Sequence, residues 1–218
     1  TELQRRFLAD ASHELRSPIA SSRAELEVAL ANPSSNDWMT TASELLDDNE
    51  RMERLVRDLL FLARVDDPSA LLADDPVDLD EIVREEVRRL APRSRVRIDT
   101  TEMEPAEVQG SADQLARVVR NVLENAERHA RAQVTVQLRT VEGVAILVIG
   151  DDGPGVAQED RERIFDRFTR IDSSRTRETG GTGLGLAIAR ETVQAHGGRV
   201  FVQDSEIGAS FVVELPSP

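Results

Sequence analysis

Apolar residues recur at helical spacing through roughly the first 65 positions. The first series is Leu3, Phe7, Ala11, Leu15, Ile19, Leu26 and Leu30, and it predicts a long helix. Ala31-Asn32-Pro33-Ser34-Ser35-Asn36, a string of turn formers, breaks it. A second helix then repeats at Trp38, Ala42, Leu45, Asn49, Met52, Val56, Leu59 and Ala63, in alternating steps of four and three. That is a coiled-coil seam with one polar member, Asn49. Leu46, Leu55, Leu60 and Leu62 widen the stripe beyond what one partner helix covers. Two helices alone would leave this surface wet, so the hairpin is expected to dimerise into a four-helix bundle.

Acids and prolines from Asp66-Asp67-Pro68 to Asp74-Asp75-Pro76 mark a linker. Beyond it the pattern turns to mixed helix and strand. Helices are predicted near 79–91, 112–130 and after Gly185; strands are predicted near 95–100, 132–139, 143–150, 199–203 and 209–215. Short connections between neighbouring strands point to an α+β sandwich on an antiparallel or mixed sheet. The chain therefore divides into a helical domain at 1–66, a linker at 67–78 and a sandwich domain at 79–218.

Composition removes several functions. The 218 residues suffice for one large or two small domains with real cores. With 27 basic against 41 acidic residues the net charge is −14, which argues against nucleic acid as a partner. No cysteine is present, so disulfides, thiol nucleophiles and cysteine zinc sites are excluded. Every cation is arginine, which excludes a Walker P-loop, the strand lysine of Ser/Thr-type protein kinases and Schiff-base catalysis. Six Phe, one Trp and no Tyr leave an aliphatic core. No apolar run reaches membrane-spanning length and Thr1-Glu2-Leu3 does not open a signal peptide, so a soluble chain is expected.

Four stretches carry candidate chemistry, each with a plainer reading beside it. His13 lies two residues from Ala11 and Leu15, about 200° round a helix from the apolar stripe. A helical histidine is commonly a surface or capping residue. Here Glu14 stands beside it and Pro18, five residues on, is expected to bend or loosen the helix. A neutral imidazole is a capable nucleophile, and a nearby carboxylate can orient it and take its proton. Asn121, Asn125, Arg128 and His129 share one side of a helix whose buried face is Leu115, Val118, Val119, Val122 and Ala126. They form either a solvated face or two carboxamides for a hard cation such as Mg²⁺ with a guanidinium for phosphate.

The run Val144 to Ile149 ends in Gly150-Asp151-Asp152-Gly153-Pro154-Gly155, which is either a simple turn or a strand-end carboxylate placed for a ring amine. Thr179 to Ala189 passes from a glycine loop (Gly180, Gly181, Gly183, Gly185) into a helix, a phosphate cradle in outline. It lacks the G-x-G-x-x-G order of a dinucleotide fingerprint.

Together and in this order, these stretches make the chain resemble the cytoplasmic core of the sensor histidine kinases of bacterial two-component systems, along essentially its whole length. Phe7 to Pro18 resembles the phosphoacceptor H box, Asn121 to His129 the N box, and Asp151 to Gly155 the first glycine box. Ile164-Phe165-Asp166-Arg167-Phe168 resembles the F box, and Gly181 to Gly185 (with Thr182, Gly183 and Leu184) the second glycine box. The resemblance implies a dimerisation and phosphotransfer domain followed by an ATP-binding domain of the Bergerat fold, an α/β sandwich. It implies that His13 attacks the γ-phosphate of ATP with Glu14 as base, and that Asn125, helped by Asn121, holds Mg²⁺.

Asp151 would accept a hydrogen from the adenine amine, residues 167–180 would form a lid, and Arg170 would meet phosphate. The implied partners are a second copy of the chain and the receiver domain of a response regulator, whose aspartate takes the phosphoryl group. Any membrane anchor would lie in segments absent from this chain, which would be the cytoplasmic portion of a bacterial sensor. Arg128 and His129 stand where Lys and Tyr are common. Ser17 stands where Thr or Asn is common, which implies a weak regulator phosphatase. The alternative within the same fold is an ATPase without phosphotransfer.

Overall fold

The two N-terminal helices form where their periodicity places them, α1 at Glu2–Ala31 and α2 at Trp38–Val65. The structure, a computed structural model, describes residues 2–33, 37–65, 75–169 and 182–218, with helical backbone alone at 2–10, 17 and 63–65. Pro18 does not break α1, which continues through it. Asp37 opens α2: its carboxylate accepts the amides of Met39 and Thr40 at 3.1 and 3.3 Å, and these bonds with the Thr40 hydroxyl hold its pKa low.

The seam between the helices is not the predicted one. α1 withdraws Ala11, Leu15, Pro18, Ser22, Glu25 and Ala29 from solvent, and α2 withdraws Thr41, Leu45, Asp48, Met52, Leu55, Leu59 and Leu62. The second series shares Leu45, Met52 and Leu59 with the predicted seam, while Trp38, Ala42, Asn49 and Val56 stay exposed. The reason is that α2 carries two adjacent apolar stripes and one helix covers only one of them. The covered stripe is small and polar over much of its length, with Ser22 donating to Asp48 at 2.8 Å. Ile19, Leu26, Leu30, Trp38, Leu46 and Leu60 remain outside.

The second half is the expected sandwich. It contains β1 (Asp75–Asp78), α3 (Leu79–Leu90), β2 (Arg97–Met103), β3 (Glu107–Gly110), α4 (Ala112–His129), β4 (Gln133–Val141), β5 (Val144–Asp151), α5 (Gly185–Ala195), β6 (Arg199–Gln203) and β7 (Ser210–Pro216). Five strands make a mixed sheet ordered β2-β4-β5-β7-β6, in which β2 runs parallel to β4 and the other neighbours are antiparallel. β1 and β3 pair separately, antiparallel. Neither was predicted, because both are only four residues long. Moreover, β1 carries Pro76 in the acidic stretch taken as linker, so residues 75–78 of that stretch are strand and not connection.

Alternation supplies the core. Val134, Val136 and Leu138 of β4 and Ala145, Leu147 and Ile149 of β5 point under the helices and are buried, while Thr135, Gln137 and Arg139 face outward. Leu115, Val118, Val119, Val122 and Ala126 of α4 pack on them, as do Ala189 and Val193 of α5. Phe165 meets Phe211 edge-on at 6.5 Å between ring centroids.

The two halves touch. Leu55 and Leu62 of α2 form a buried cluster with Leu184 and Ile188, joined by Leu15, Leu59, Phe61 and Phe168. Beside it Asp58 of α2 pairs with Arg117 of α4, whose guanidinium lies 4.3 Å from the centre of the Phe61 ring. Burial raises the Asp58 pKa despite the bond and charge of Arg117.

Candidate active site

α4 buries one face against the sheet and so fixes the direction of the other. Asn121, Asn125, Arg128 and His129 fall on that second face and line a cavity with Asp151 and Gly155. Asn121 sits beside the start of α5: a Cβ added at Gly185 would lie 3.3 Å from its Oδ1. Its amide nitrogen is buried without a hydrogen-bond partner.

Asp151 reaches the same cavity through strand alternation. It continues the buried series Ala145, Leu147, Ile149 of β5, so the pleat turns its carboxylate toward the helix layer and not to water. Its Oδ1 accepts the amides of Gly153 at 2.8 Å and Ala209 at 3.4 Å. Its Oδ2 is buried with no partner. Burial raises its pKa, with the two amides acting the other way. A buried acceptor left open at a cavity wall is a costly feature unless a ligand donor completes it.

Glycines let the backbones close round this point. Gly155 and Gly208 both have positive φ, 77° and 67°, and a Cβ on Gly155 would come 2.9 Å from the Gly208 carbonyl oxygen. On the far side Gly183 (φ 69°) lies against Phe168, and the Phe168 amide donates to the Gly183 carbonyl at 2.8 Å.

The cavity holds about 1800 Å³. It exceeds the ~300–1,000 Å³ of an ordinary small-molecule site because it continues along α2 past Glu50, Arg54 and Arg57. Thr169, Thr182, Gly183 and Gly185 also line it. Other expected site residues are not brought there. Phe165 is a core residue under Phe211, Leu184 is buried in the cluster with Leu55 and Leu62, and Gly153 presses on the His129 backbone. His13 is exposed and Glu14 half-buried on α1, and neither lines the cavity. Arg170, Gly181 and most of the expected lid lie outside the described residues, as does the Ser17 side chain. Gly208 and Ala209 were missed; the signal was a second glycine one residue before a closing strand.

The comparisons with known proteins decide the family. The model for the His Kinase A (phospho-acceptor) domain matches residues 3–68. The model for the Histidine kinase-, DNA gyrase B-, and HSP90-like ATPase matches residues 110–218. This chain belongs to the sensor histidine kinases.

Among related histidine kinases, the probable sensor histidine kinase TcrY of Mycobacterium tuberculosis is 38% identical over 97% of this chain. The chain spans about half the length of the curated relatives it matches, 46% of TcrY. The Acinetobacter baumannii histidine kinase AdeS shares the fold at a TM-score of 0.78 and 23% identity, covering 94% of this chain and 98% of that one. The histidine kinase ThkA, solved in complex with the response regulator protein TrrA, shares the fold at 0.77 and 20% identity, over 97% of this chain and 61% of that one.

The residues present fit the nucleotide and cation that a histidine kinase domain implies. The open Asp151 Oδ2 suits an amine donor, and the Asn121 and Asn125 carboxamides line the same cavity. Among the described residues no cluster of three or more His, Cys, Asp or Glu forms a metal site. Mg²⁺ is commonly carried by phosphate oxygens, waters and one or two protein oxygens, a role open to the carboxamides of Asn121 and Asn125. Among the described residues, no helix is long and apolar enough to cross a membrane.

Proposed function

We propose that this chain autophosphorylates His13 from ATP and passes the phosphoryl group to an aspartate on the receiver domain of a response regulator. The observation that carries the reading is the buried, unpartnered Oδ2 of Asp151 in the cavity lined by Asn121, Asn125, Arg128 and His129. Adenine places its amine hydrogen on that oxygen, and the triphosphate runs toward α4 and the start of α5. Arg128 and Arg170 meet phosphate oxygens. Asn125, with Asn121, would hold Mg²⁺, and the ion would supply positive charge against the phosphate oxygens. A nitrogen of the His13 imidazole attacks the γ-phosphorus, the bond to the β-phosphate oxygen breaks, ADP leaves, and Glu14 takes the imidazole proton.

His13 is exposed on α1 and outside the cavity, so the reaction requires a rearrangement of the two domains or a second copy. A homodimer through the helical hairpin fits the apolar surface left open on α1 and α2. The response regulator as partner is supported by the ThkA complex, a relative in fold. The proposed division is phosphotransfer at 1–66, a connecting stretch at 67–78 that ends in β1, and ATP binding at 79–218. Ser17, one turn after His13, supports a weak regulator phosphatase activity that should rise in Ser17→Thr and vanish in Ser17→Ala.

The test is incubation with γ-labelled ATP. Label should stay on the protein, be lost in acid and be absent from His13→Ala. Released phosphate without labelled protein would instead identify an ATPase lacking phosphotransfer.

A further inference from the structure

We infer that Asp152 is a positioning residue, which sets the adenine-recognising carboxylate of Asp151 in register with the phosphate-facing helix α4. The inference rests on the nucleotide reading above. It concerns the neighbour of Asp151, the first residue beyond β5.

The Oδ1 of Asp152 accepts the amides of Arg131 at 2.7 Å and Ala132 at 3.0 Å, and its Oδ2 accepts Ala132 again at 3.1 Å. Its own amide donates to the Gln133 carbonyl at 3.3 Å. These partners are the segment that carries the chain out of α4 and into β4. α4 ends at His129, and the Ala130 amide still bonds back to the Ala126 carbonyl. Arg131 and Ala132 are thus the next donors along the chain, and Asp152 gathers both. The bonds hold its pKa below the usual aspartate range, so the clamp is charged across the working pH range.

The other contacts make this a clamp on the site and not only a turn. Gly153 is packed on the carbonyl of His129 so closely that a Cβ there would strike it. The dipeptide Asp151-Asp152 therefore meets the end of α4 through both a side chain and the adjoining backbone. The same helix carries Asn121, Asn125, Arg128 and His129. Sliding its C-terminal end along the sheet would change the distance between the open oxygen of Asp151 and the groups that face phosphate. Asp152 resists that slide with three charge-assisted bonds. The two carboxylates divide the work: one is saturated by protein, and the other keeps an oxygen for the ligand.

The experiment compares ADP with inosine diphosphate, whose 6-oxo group cannot donate to Asp151, by calorimetry on the full chain; neither nucleotide can be turned over. The parent should prefer ADP by about ten- to a hundredfold. In Asp152→Ala, ADP affinity should fall roughly tenfold and inosine diphosphate affinity by less than about twofold, so the preference shrinks. Hydrogen exchange at the Arg131 and Ala132 amides should quicken in the same variant.

Asp152→Asn, which keeps an oxygen for both amides, should restore the preference to within about twofold of the parent. Equal losses for both nucleotides, or no change in preference, would overturn the inference. If Asp152→Ala does not fold, Asp152→Glu decides: it keeps the charge but moves it one methylene outward, and an undiminished preference would be the negative result. A parent chain that does not prefer ADP refutes the adenine reading of Asp151. A parent that does, beside variants that match it, refutes the role of Asp152 alone.

Discussion

The two halves of the chain handle apolar surface in opposite ways. In the sandwich domain the pleat sends Val134, Val136, Leu138, Leu147 and Ile149 to one side of the sheet, and α4 and α5 close over them within the same chain. In the hairpin the residues withdrawn from solvent include Ala11, Ser22, Glu25, Ala29, Thr41 and Asp48 beside the leucines, and Ile19, Leu26, Leu30, Trp38, Leu46 and Leu60 look outward. A sheet with one solvated face satisfies itself once a helix layer covers the other. A pair of helices with stripes wider than their mutual contact does not. The first region can hold a site steady on its own, whereas the second covers part of its surface with the α5 end of its own sandwich domain and leaves the rest for the dimer proposed above.

The sharpest way to break this contrast is to charge the outer face of the hairpin. Leu46→Glu with Leu60→Glu should raise the dimer dissociation constant by at least about a thousandfold, since each buried Leu contributes roughly 1.5–3 kcal/mol. Sedimentation velocity reads the change, and ADP binding should persist. The converse is Leu147→Ala in the sheet core. It should lower the stability of the sandwich domain by about 2–5 kcal/mol in denaturant titration and leave the dimer intact.

A third substitution sharpens the comparison inside the sandwich, where binding and stability conflict. Asp151 has a raised pKa because it is buried. Its proton is held more tightly folded than unfolded, so its charge lowers stability above the folded value. That loss is recovered as pH falls through the folded value, fully so below the unfolded one. Asp151→Asn should abolish this pH dependence and raise the melting temperature at neutral pH. ADP affinity should fall about a hundredfold, because an amide hydrogen then faces the adenine amine.

The smallest expected effect is at the contact between the halves. Arg117→Ala leaves the Asp58 carboxylate partly buried without its partner and should cost about 1–3 kcal/mol of docking, read as faster hydrogen exchange across residues 55–62. Asp58→Asn should cost less, since burial already works against that charge and Arg117 keeps Phe61 beneath it.

Much of this was legible in the residues. The N-box face followed from spacing along one helix, because α4 is strongly amphipathic and its buried positions leave no other orientation for Asn121 and Asn125. The strand-end placement of Asp151 followed from an apolar run stopping at a glycine. What stayed hidden depends on contacts between distant segments. The strand pair β1–β3 joins Pro76 to Gln109, and no local period marks either strand. The hairpin seam is offset because two stripes compete on α2, and periodicity alone does not say which one the neighbouring helix takes. Asp152 looks like part of a turn until Arg131 and Ala132 are brought beside it. Phe165 stands out through its F-box resemblance, yet its ring belongs to the core beneath.

The bond from the Phe168 amide to the Gly183 carbonyl works as a buckle. Phe168 holds a positive φ of 62°, a strained conformation for a bulky residue, and Gly183 is pressed too close to Phe168 to carry a side chain. Leu184, the next residue, is buried in the cluster with Leu55 and Leu62 of α2. A single methyl on Gly183 would open the buckle and loosen the grip of the sandwich domain on the hairpin with it.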